Sequence, residues 1–308
     1  MSDRGAMGPV AERERVLDVD VTIASRAMIL GALRATIEGG GAPRRVACAN
    51  AHTVVQARRH PAVRRALADF DVMLPDGIAV VLASRVAGGA IPAKIGGPDL
   101  FQAVSEMADA IGGCRYFFLG STPDTLERIG AALGRRYPRI ALAGTHSPSF
   151  GEISDAESAA IVKRINEARP TVLWVGMTAP KQELWVHRHG AAIDTRVIAC
   201  VGAAFDYFAG TKRRPAPLAR WGLLWAYRLA TEPRRLWRRY LVSAPLFAYW
   251  LAREALAGRA TRRAHLLRCR PRPRARRTES TPRVRPSGGA SHLGSPRRSA
   301  RRVSRTDS

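Results

Sequence analysis

Residues 115–122 read Arg115-Tyr116-Phe117-Phe118-Leu119-Gly120-Ser121-Thr122. The aromatic and apolar run is too short for a helix, ends at a glycine, and gives way to a helical pattern over 123–136. A short continuous apolar run bounded by a turn is the mark of a strand buried on both faces. The same unit recurs in both directions along the chain. Strands are predicted at 45–49, 72–74, 115–119, 140–143, 172–175 and 197–201, with helical stretches near 25–38, 52–68, 77–87, 98–111, 123–136, 154–168 and 180–190. This alternation implies an α/β fold with a mostly parallel sheet and helices on both faces. Ligands of such sheets sit beyond the carboxyl ends of the strands, so the strings at strand ends are the ones to read for chemistry.

The chain has 308 residues and a hydrophobic fraction of 46%, which is globular composition. Its formal charge of +25 is unevenly placed. Residues 1–210 carry +3, residues 211–258 carry +8, and residues 259–308, with 16 Arg against Glu279 and Asp307, carry +14. Four divisions follow: a flexible leader (1–15), an α/β body (16–210), a helical basic appendage (211–258) and a disordered Arg-rich tail (259–308). The tail is Arg, Pro, Ser, Gly and Thr with few large apolar residues, too little to offset its ordering entropy. A general preference for Arg over Lys would produce such a tail without any partner. The four cysteines, Cys48, Cys114, Cys200 and Cys269, lack metal-ligand spacing and fit a reducing compartment. The leader has no apolar core, so it is not read as a signal peptide. No apolar run reaches 18 residues, and the nearest, Leu241–Leu251, contains Pro245.

Several strand ends carry polar groups. Cys48-Ala49-Asn50 closes one strand, and Leu74-Pro75-Asp76-Gly77 closes the next, with a helix starting at once. Asp76 is therefore a candidate catalytic carboxylate, or else an N-cap. Lys94-Ile95-Gly96-Gly97-Pro98-Asp99 is a glycine turn entering a helix, whose N–H groups could receive a phosphate. Pro180-Lys181-Gln182-Glu183 opens another helix after the strand ending at Gly176, and Val201-Gly202-Ala203-Ala204-Phe205-Asp206 repeats the strand-then-glycine pattern. Glu183 fits a ligand group or compensation of the helix dipole, and Asp206 a ligand group or a loop cap. GxGxxG, Walker and GxSxG strings are absent. Asp18-Val19-Asp20 and Asp69-Phe70-Asp71 match a loose metal-binding DxD pattern, but their placement is wrong for it, and no metal is predicted. His187 and His189 are read as solvated helix residues. In the appendage, Thr231 is read as an N-cap of a helix with Arg234, Arg235, Arg238 and Arg239 on one face and Leu236, Trp237 and Tyr240 on the other. Such a helix suits an anionic membrane surface.

Taken in order, these strings resemble the WecG/TagA/CpsF family of bacterial glycosyltransferases over roughly residues 16–250. The resemblance rests on Cys48–Asn50, Leu74–Gly77, Gly96–Leu100, Phe117–Gly120, Pro180–Glu183 and Gly202–Gly210, then on Arg213–Pro217, Gly222–Trp225, Arg228–Arg235 and Arg238–Tyr240. It implies a Rossmann-like body with a membrane-associating appendage. It also implies transfer of a sugar from a UDP-linked donor to a polyprenyl-diphosphate-linked acceptor, for cell-wall or extracellular polysaccharide, at the cytoplasmic face of the plasma membrane. The implied chemistry is inverting, with no metal or other cofactor, Asp76 as general base, and Asn50 and Gln182 in a polar pocket. The remaining candidate substrate-binding residues are Cys48, Lys94, Gly96, Gly97, Glu183, Asp206, Arg214 and Arg220. The family usually has Thr at the position of Cys48, Arg at that of Lys94, and Glu at that of Leu224.

The competing class is a nucleic-acid-binding protein acting through the Arg-rich tail. The near-neutral body and the absence of interleaved aromatics in the tail weigh against it, so no nucleic acid is named as a partner. A homo-oligomer is compatible with this reading.

Overall fold

The structure is a computed structural model and describes residues 12–221, 223–256 and 267–268. In chain order the elements begin with β1 (Glu12–Val16), β2 (Val19–Thr22), α1 (Arg26–Ile37), β3 (Arg44–Ala49), α2 (Ala51–Arg59), α3 (Pro61–Ala68), β4 (Val72–Pro75), α4 (Ile78–Val86) and α5 (Gly97–Ile111). There follow β5 (Arg115–Gly120), α6 (Pro123–Arg136), β6 (Ala141–His146), α7 (Asp155–Ala168), β7 (Val172–Gly176), α8 (Lys181–His189), β8 (Val197–Cys200) and α9 (Ala204–Phe208). After Gly210 come α10 (Ala216–Arg220), α11 (Leu224–Thr231), α12 (Pro233–Trp237), a π-helical turn (Arg238–Val242), α13 (Ser243–Leu256) and the short β9 (Leu267–Arg268).

Six strands form one wholly parallel sheet in the order β4-β3-β8-β7-β5-β6. Each of the six strands predicted from the sequence is present in it. Parallel strands need crossovers, and the intervening helices cover both faces. The two-residue period of a strand divides the core accordingly. Tyr116 and Phe118 of β5 join Trp174 and Phe101 on one face, and Phe117 and Leu119 join Leu173 and Val175 on the other.

Three local features differ from the sequence reading. The stretch 52–68 is two helices, because the residue before a proline is pushed out of the helical region; His60 is extended and Pro61 starts α3. The leader reading fails at Glu12–Arg15, which belong to an antiparallel β1–β2 hairpin. Its buried carboxylate is Glu14, whose Oε2 accepts from Ser84 Oγ and the Ala90 N–H at 3.0 and 2.7 Å while Oε1 has no partner among the described residues. A strand that points a carboxylate inward leaves no apolar alternation to read. The hairpin joins the sheet through the Met73 N–H, which donates to Thr22 Oγ1 at 2.9 Å. Finally, Leu267–Arg268, inside the segment read as a disordered tail, pairs with β1. The rest of 259–308 lies outside the described residues. Among the described residues no helix is long and apolar enough to cross a membrane.

Candidate active site

The carboxyl ends of β3, β4, β5, β7 and β8 open into one large cleft of about 1230 Å³. Its floor includes Cys48, Asp76, Ser121, Gly176 and Cys200, and its far wall is built by α11, α12, the π-turn and α13.

Asp76 stands directly after β4 at this rim. The capping alternative fails: the cap position of α4 is Gly77 with φ 102°, a conformation glycine adopts without strain, and no side chain donates or accepts a cap hydrogen bond there. The carboxylate is instead held across the strand gap. Asn50 caps α2 by accepting the Thr53 N–H on Oδ1 at 3.1 Å, and its Nδ2 donates to Asp76 Oδ2 at 3.3 Å. Burial pushes the Asp76 carboxyl above its ordinary value. The Arg239 guanidinium and the Asn50 amide pull the other way, Asp99 adds to the rise, and Arg228 opposes it. The glycine turn lies alongside. A side chain at Gly96 would come within 3.0 Å of Asp76 Oδ1, and one at Gly97 would strike the Val201 carbonyl oxygen at 2.7 Å. The turn is thus glycine because β8's end and the carboxylate approach it closely.

Cations gather around this carboxylate. Lys94 lines the cleft from the loop between α4 and α5, and Arg214, Arg228, Arg235 and Arg239 line it from the appendage. Arg214 is fixed by Asp99 in the first turn of α5, with Nη2 to Oδ1 at 2.7 Å. Lys212 bridges body and appendage, its Nζ donating to Asp206 Oδ2 at 2.6 Å and to Glu232 Oε2 at 3.1 Å, and Glu232 also pairs with Arg235. Asp206 is therefore a clasp for the appendage that also reaches the cleft.

At the opposite side Gln182 and Glu183 are buried in the first turn of α8, with the Gln182 Nε2 donating to Glu183 Oε1 at 2.7 Å. Burial raises the Glu183 carboxyl above its usual range, against the Gln182 hydrogen bond. The Cys48 and Cys200 thiols are pushed well up by burial and then by neighbouring carboxylates, so both stay protonated. Buried polar groups are nearly always paired. Yet among the described residues five cleft-lining side chains keep a buried polar atom without a partner: Gln182 Oε1, Glu183 Oε2, Tyr207 Oη, Arg214 Nε and Arg228 Nε. Two are acceptor oxygens at the start of α8, two are guanidinium donors of the appendage, and one is a hydroxyl.

A family model described as "Glycosyl transferase WecG/TagA/CpsF family" matches residues 14–261. The chain belongs to this glycosyltransferase family. Among similar proteins, one from Bacillus spizizenii is 32% identical over 197 residues, covering 64% of this chain and 74% of its own. One from Staphylococcus aureus is 32% identical over 209 residues, covering 68% and 79%. Both are named N-acetylglucosaminyldiphosphoundecaprenol N-acetyl-beta-D-mannosaminyltransferase.

Of the residues singled out in this glycosyltransferase from sequence, Cys48, Asn50, Asp76, Lys94, Gly96, Gly97, Gln182, Glu183, Asp206 and Arg214 all line the one cleft. Arg220 belongs to α10, and its side chain lies outside the described residues. The two DxD strings stand elsewhere. Asp18 pairs with Arg58 and Arg64, Asp20 with Arg15, Asp69 with His187, and Asp71 accepts the Arg45 N–H; none of the four is in the cleft lining among the described residues.

The appendage reading needs correction at several residues. Thr231 ends α11, its Oγ1 donating to the Tyr227 and Arg228 carbonyls, and Glu232 takes the cap position before Pro233. The π-turn then breaks the regular α-helical progression of faces. Leu236 is buried, Trp237 is exposed, and Arg235, Arg239 and Tyr240 turn to the cleft. Sequence reasoning missed Arg228 and Arg239 as cleft residues, and Asp99 and Lys212 as the residues that position the appendage. Glu232, one of two acids among the ten basic residues of 211–258, was the available signal for Lys212.

Proposed function

We propose that the protein transfers an N-acetylmannosamine-type sugar from a UDP-linked donor to a polyprenyl-diphosphate-linked sugar, with inversion at the anomeric carbon. The observation that carries this reading is Asp76: a rim carboxylate that caps no helix, has a raised pKa, is held by Asn50 and feels the Arg239 charge. An acceptor hydroxyl oxygen forms its bond to the anomeric carbon as the bond from that carbon to the UDP oxygen breaks. The hydroxyl proton passes to Asp76, and the electron pair leaves with UDP. A raised pKa brings the base nearer to the operating pH, and such proton transfer contributes about 10²–10⁴-fold.

Charge developing on the leaving diphosphate meets fixed cations in a partly dry cleft, where they act most strongly. Lys94, Arg214, Arg228 and Arg239 fill that role, and in this reading no metal or other cofactor takes part. Gln182 and Glu183 offer their unpartnered oxygens to sugar or nucleobase donors. The acceptor class is supported by the names of the two relatives.

Localisation follows from the same appendage. Trp221, Leu223, Trp225, Trp237 and Leu241 are exposed beside a basic helical segment. Indole rings and arginines together seat a peripheral protein on anionic lipid, here at the cytoplasmic face of the plasma membrane. The test is incubation of the full chain with labelled UDP-N-acetylmannosamine and undecaprenyl-diphosphate-N-acetylglucosamine. Formation of a lipid-linked disaccharide of inverted anomeric configuration supports the reading; release of free sugar alone, or retention of configuration, contradicts it. No transfer from any UDP-hexose or UDP-N-acetylhexosamine overturns the donor class.

A further inference from the structure

Gln182 and Glu183 stand side by side in the first turn of α8, and both line the cleft. They are 3% and 1% exposed. An acid in the first turn of a helix complements the helix dipole from the surface equally well. Taking a carboxyl group out of water is costly unless it is bonded. Dipole compensation alone therefore does not account for a buried Glu183. Its surroundings are cleft groups: the Cys48 thiol of β3 and the Cys200 thiol of β8 feel its charge, and it feels that of Arg239.

One hydrogen bond joins the two side chains, donated by Gln182 Nε2 to Glu183 Oε1 at 2.7 Å. That bond settles which way the carboxamide points. An amide can turn either its oxygen or its nitrogen toward a given place, and its partners decide which. An ionised carboxylate accepts and does not donate, so only the nitrogen can face it. With a proton on Oε2, Oε1 is still a carbonyl acceptor and the choice is the same. Gln182 thus uses its donor on its neighbour, and its Oε1 is left without a partner among the described residues. The amide lies against the glycine turn after β8: a side chain at Gly202, itself in the cleft lining, would stand 3.9 Å from that oxygen.

We infer that Glu183 is a positioning residue that orients the Gln182 carboxamide, so that Gln182 Oε1 accepts a hydrogen bond from a hydroxyl or N–H group of the UDP-sugar. This rests on the proposed donor class and deepens it by separating the parts of the two residues: Gln182 makes the contact, and Glu183 decides its sense. A site set in this way selects a ligand with a hydrogen-bond donor at that place. It rejects one that brings only an acceptor there, because two facing acceptors leave both unpaired. The hydroxyls of hexose and ribose, and the N–H groups of an acetamido substituent and of the base, share the required chemistry.

The test measures the Kd of the full chain for UDP and for UDP-N-acetylmannosamine, in the parent and in variants. Gln182→Met and Glu183→Met each remove the hydrogen bond at similar volume, and each is expected to weaken UDP-N-acetylmannosamine binding about tenfold, the effect of one lost hydrogen bond. Because one residue acts through the other, the double variant is expected to bind no worse than either single one. Glu183→Asp keeps the charge but withdraws the carboxylate by a methylene, so it is expected to bind as weakly as Glu183→Met. Glu183→Gln loses the charge but keeps an acceptor oxygen, so it is expected to recover most of the loss. Weaker binding of UDP as well puts the donor group on the nucleotide, and a loss confined to the UDP-sugar puts it on the sugar; either supports the inference. Additive losses in the double variant overturn it. So does parental affinity in Glu183→Asp, or a folded Glu183→Gln that binds as weakly as Glu183→Met or Glu183→Asp. The Asp and Gln variants decide the matter even where Glu183→Met does not fold. A parent that binds neither ligand overturns the donor class itself, a different failure from a parent that binds and variants that match it.

Discussion

Asn50 donates from Nδ2 to Asp76 Oδ2 at 3.3 Å while its Oδ1 accepts the Thr53 N–H at the start of α2. One amide thus spans two strand ends, β3 and β4, and couples a helix cap to a carboxylate. The hydrogen bond favours the charged form of Asp76. Asn50→Ala is expected to move the acid limb of the pH–rate profile to higher pH and to cost about 1 kcal/mol of stability through the lost cap. Asn50→Ser restores the cap and the melting temperature but not the pH profile. A profile identical to the parent in both variants would separate Asn50 from the base.

Lys212 holds the appendage by bridging Asp206 and Glu232. Lys212→Met leaves the partly buried Asp206 carboxylate without its ion-pair partner and Glu232 with Arg235 alone, a loss of roughly 1–3 kcal/mol in the clasp. Arg228, Arg235 and Arg239 all lie beyond it in the chain. The expected outcome is a higher KM for the UDP-sugar with a smaller change in kcat, and recovery in Lys212→Arg. An unchanged KM would show that the appendage holds its place without this bridge.

His52 shares a 2.9 Å hydrogen bond with Ser243 at the start of α13. Burial, then the Arg239 charge, lowers its pKa from 6.5 to about 4. The folded state keeps it neutral while the unfolded chain protonates first. Its contribution to stability is therefore full above 6.5 and is lost as pH falls through 4. Melting temperatures measured across that window are expected to fall less steeply for His52→Gln than for the parent. Parallel curves would remove His52 from the acid response.

The parallel sheet was legible because strands such as Tyr116–Leu119 and Val172–Val175 are buried on both faces and therefore continuously apolar. Asp76, Asn50 and the glycine turn were legible because a doubly covered parallel sheet has one functional rim, and they stand at strand ends. Glu12–Val16 was not, because Glu14 puts a carboxylate at an inward position, where Ser84 and Ala90 donate to its Oε2. Arg239 was misplaced for a different reason. Helical periodicity groups it with Arg235, and both line the cleft; which surface that shared face meets is set by tertiary packing, not by the period. Local pattern reaches as far as regular geometry does, and the cleft's far wall is built where the geometry is irregular.

Asp76→Asn tests the central claim most directly. A carboxyl whose folded pKa lies above its ordinary value of 3.8 destabilises the fold once ionised. The stability it contributes when protonated is lost as pH rises through the folded pKa. The isosteric amide is therefore expected to raise the melting temperature at neutral pH, to leave UDP-sugar binding within about twofold, and to lower single-turnover transfer by about 10²–10⁴-fold. The parent's rate is expected to rise with pH through the Asp76 pKa and then level. Single-turnover transfer by Asp76→Asn at the parent's rate, with the same pH dependence, would contradict the assignment of Asp76 as the base.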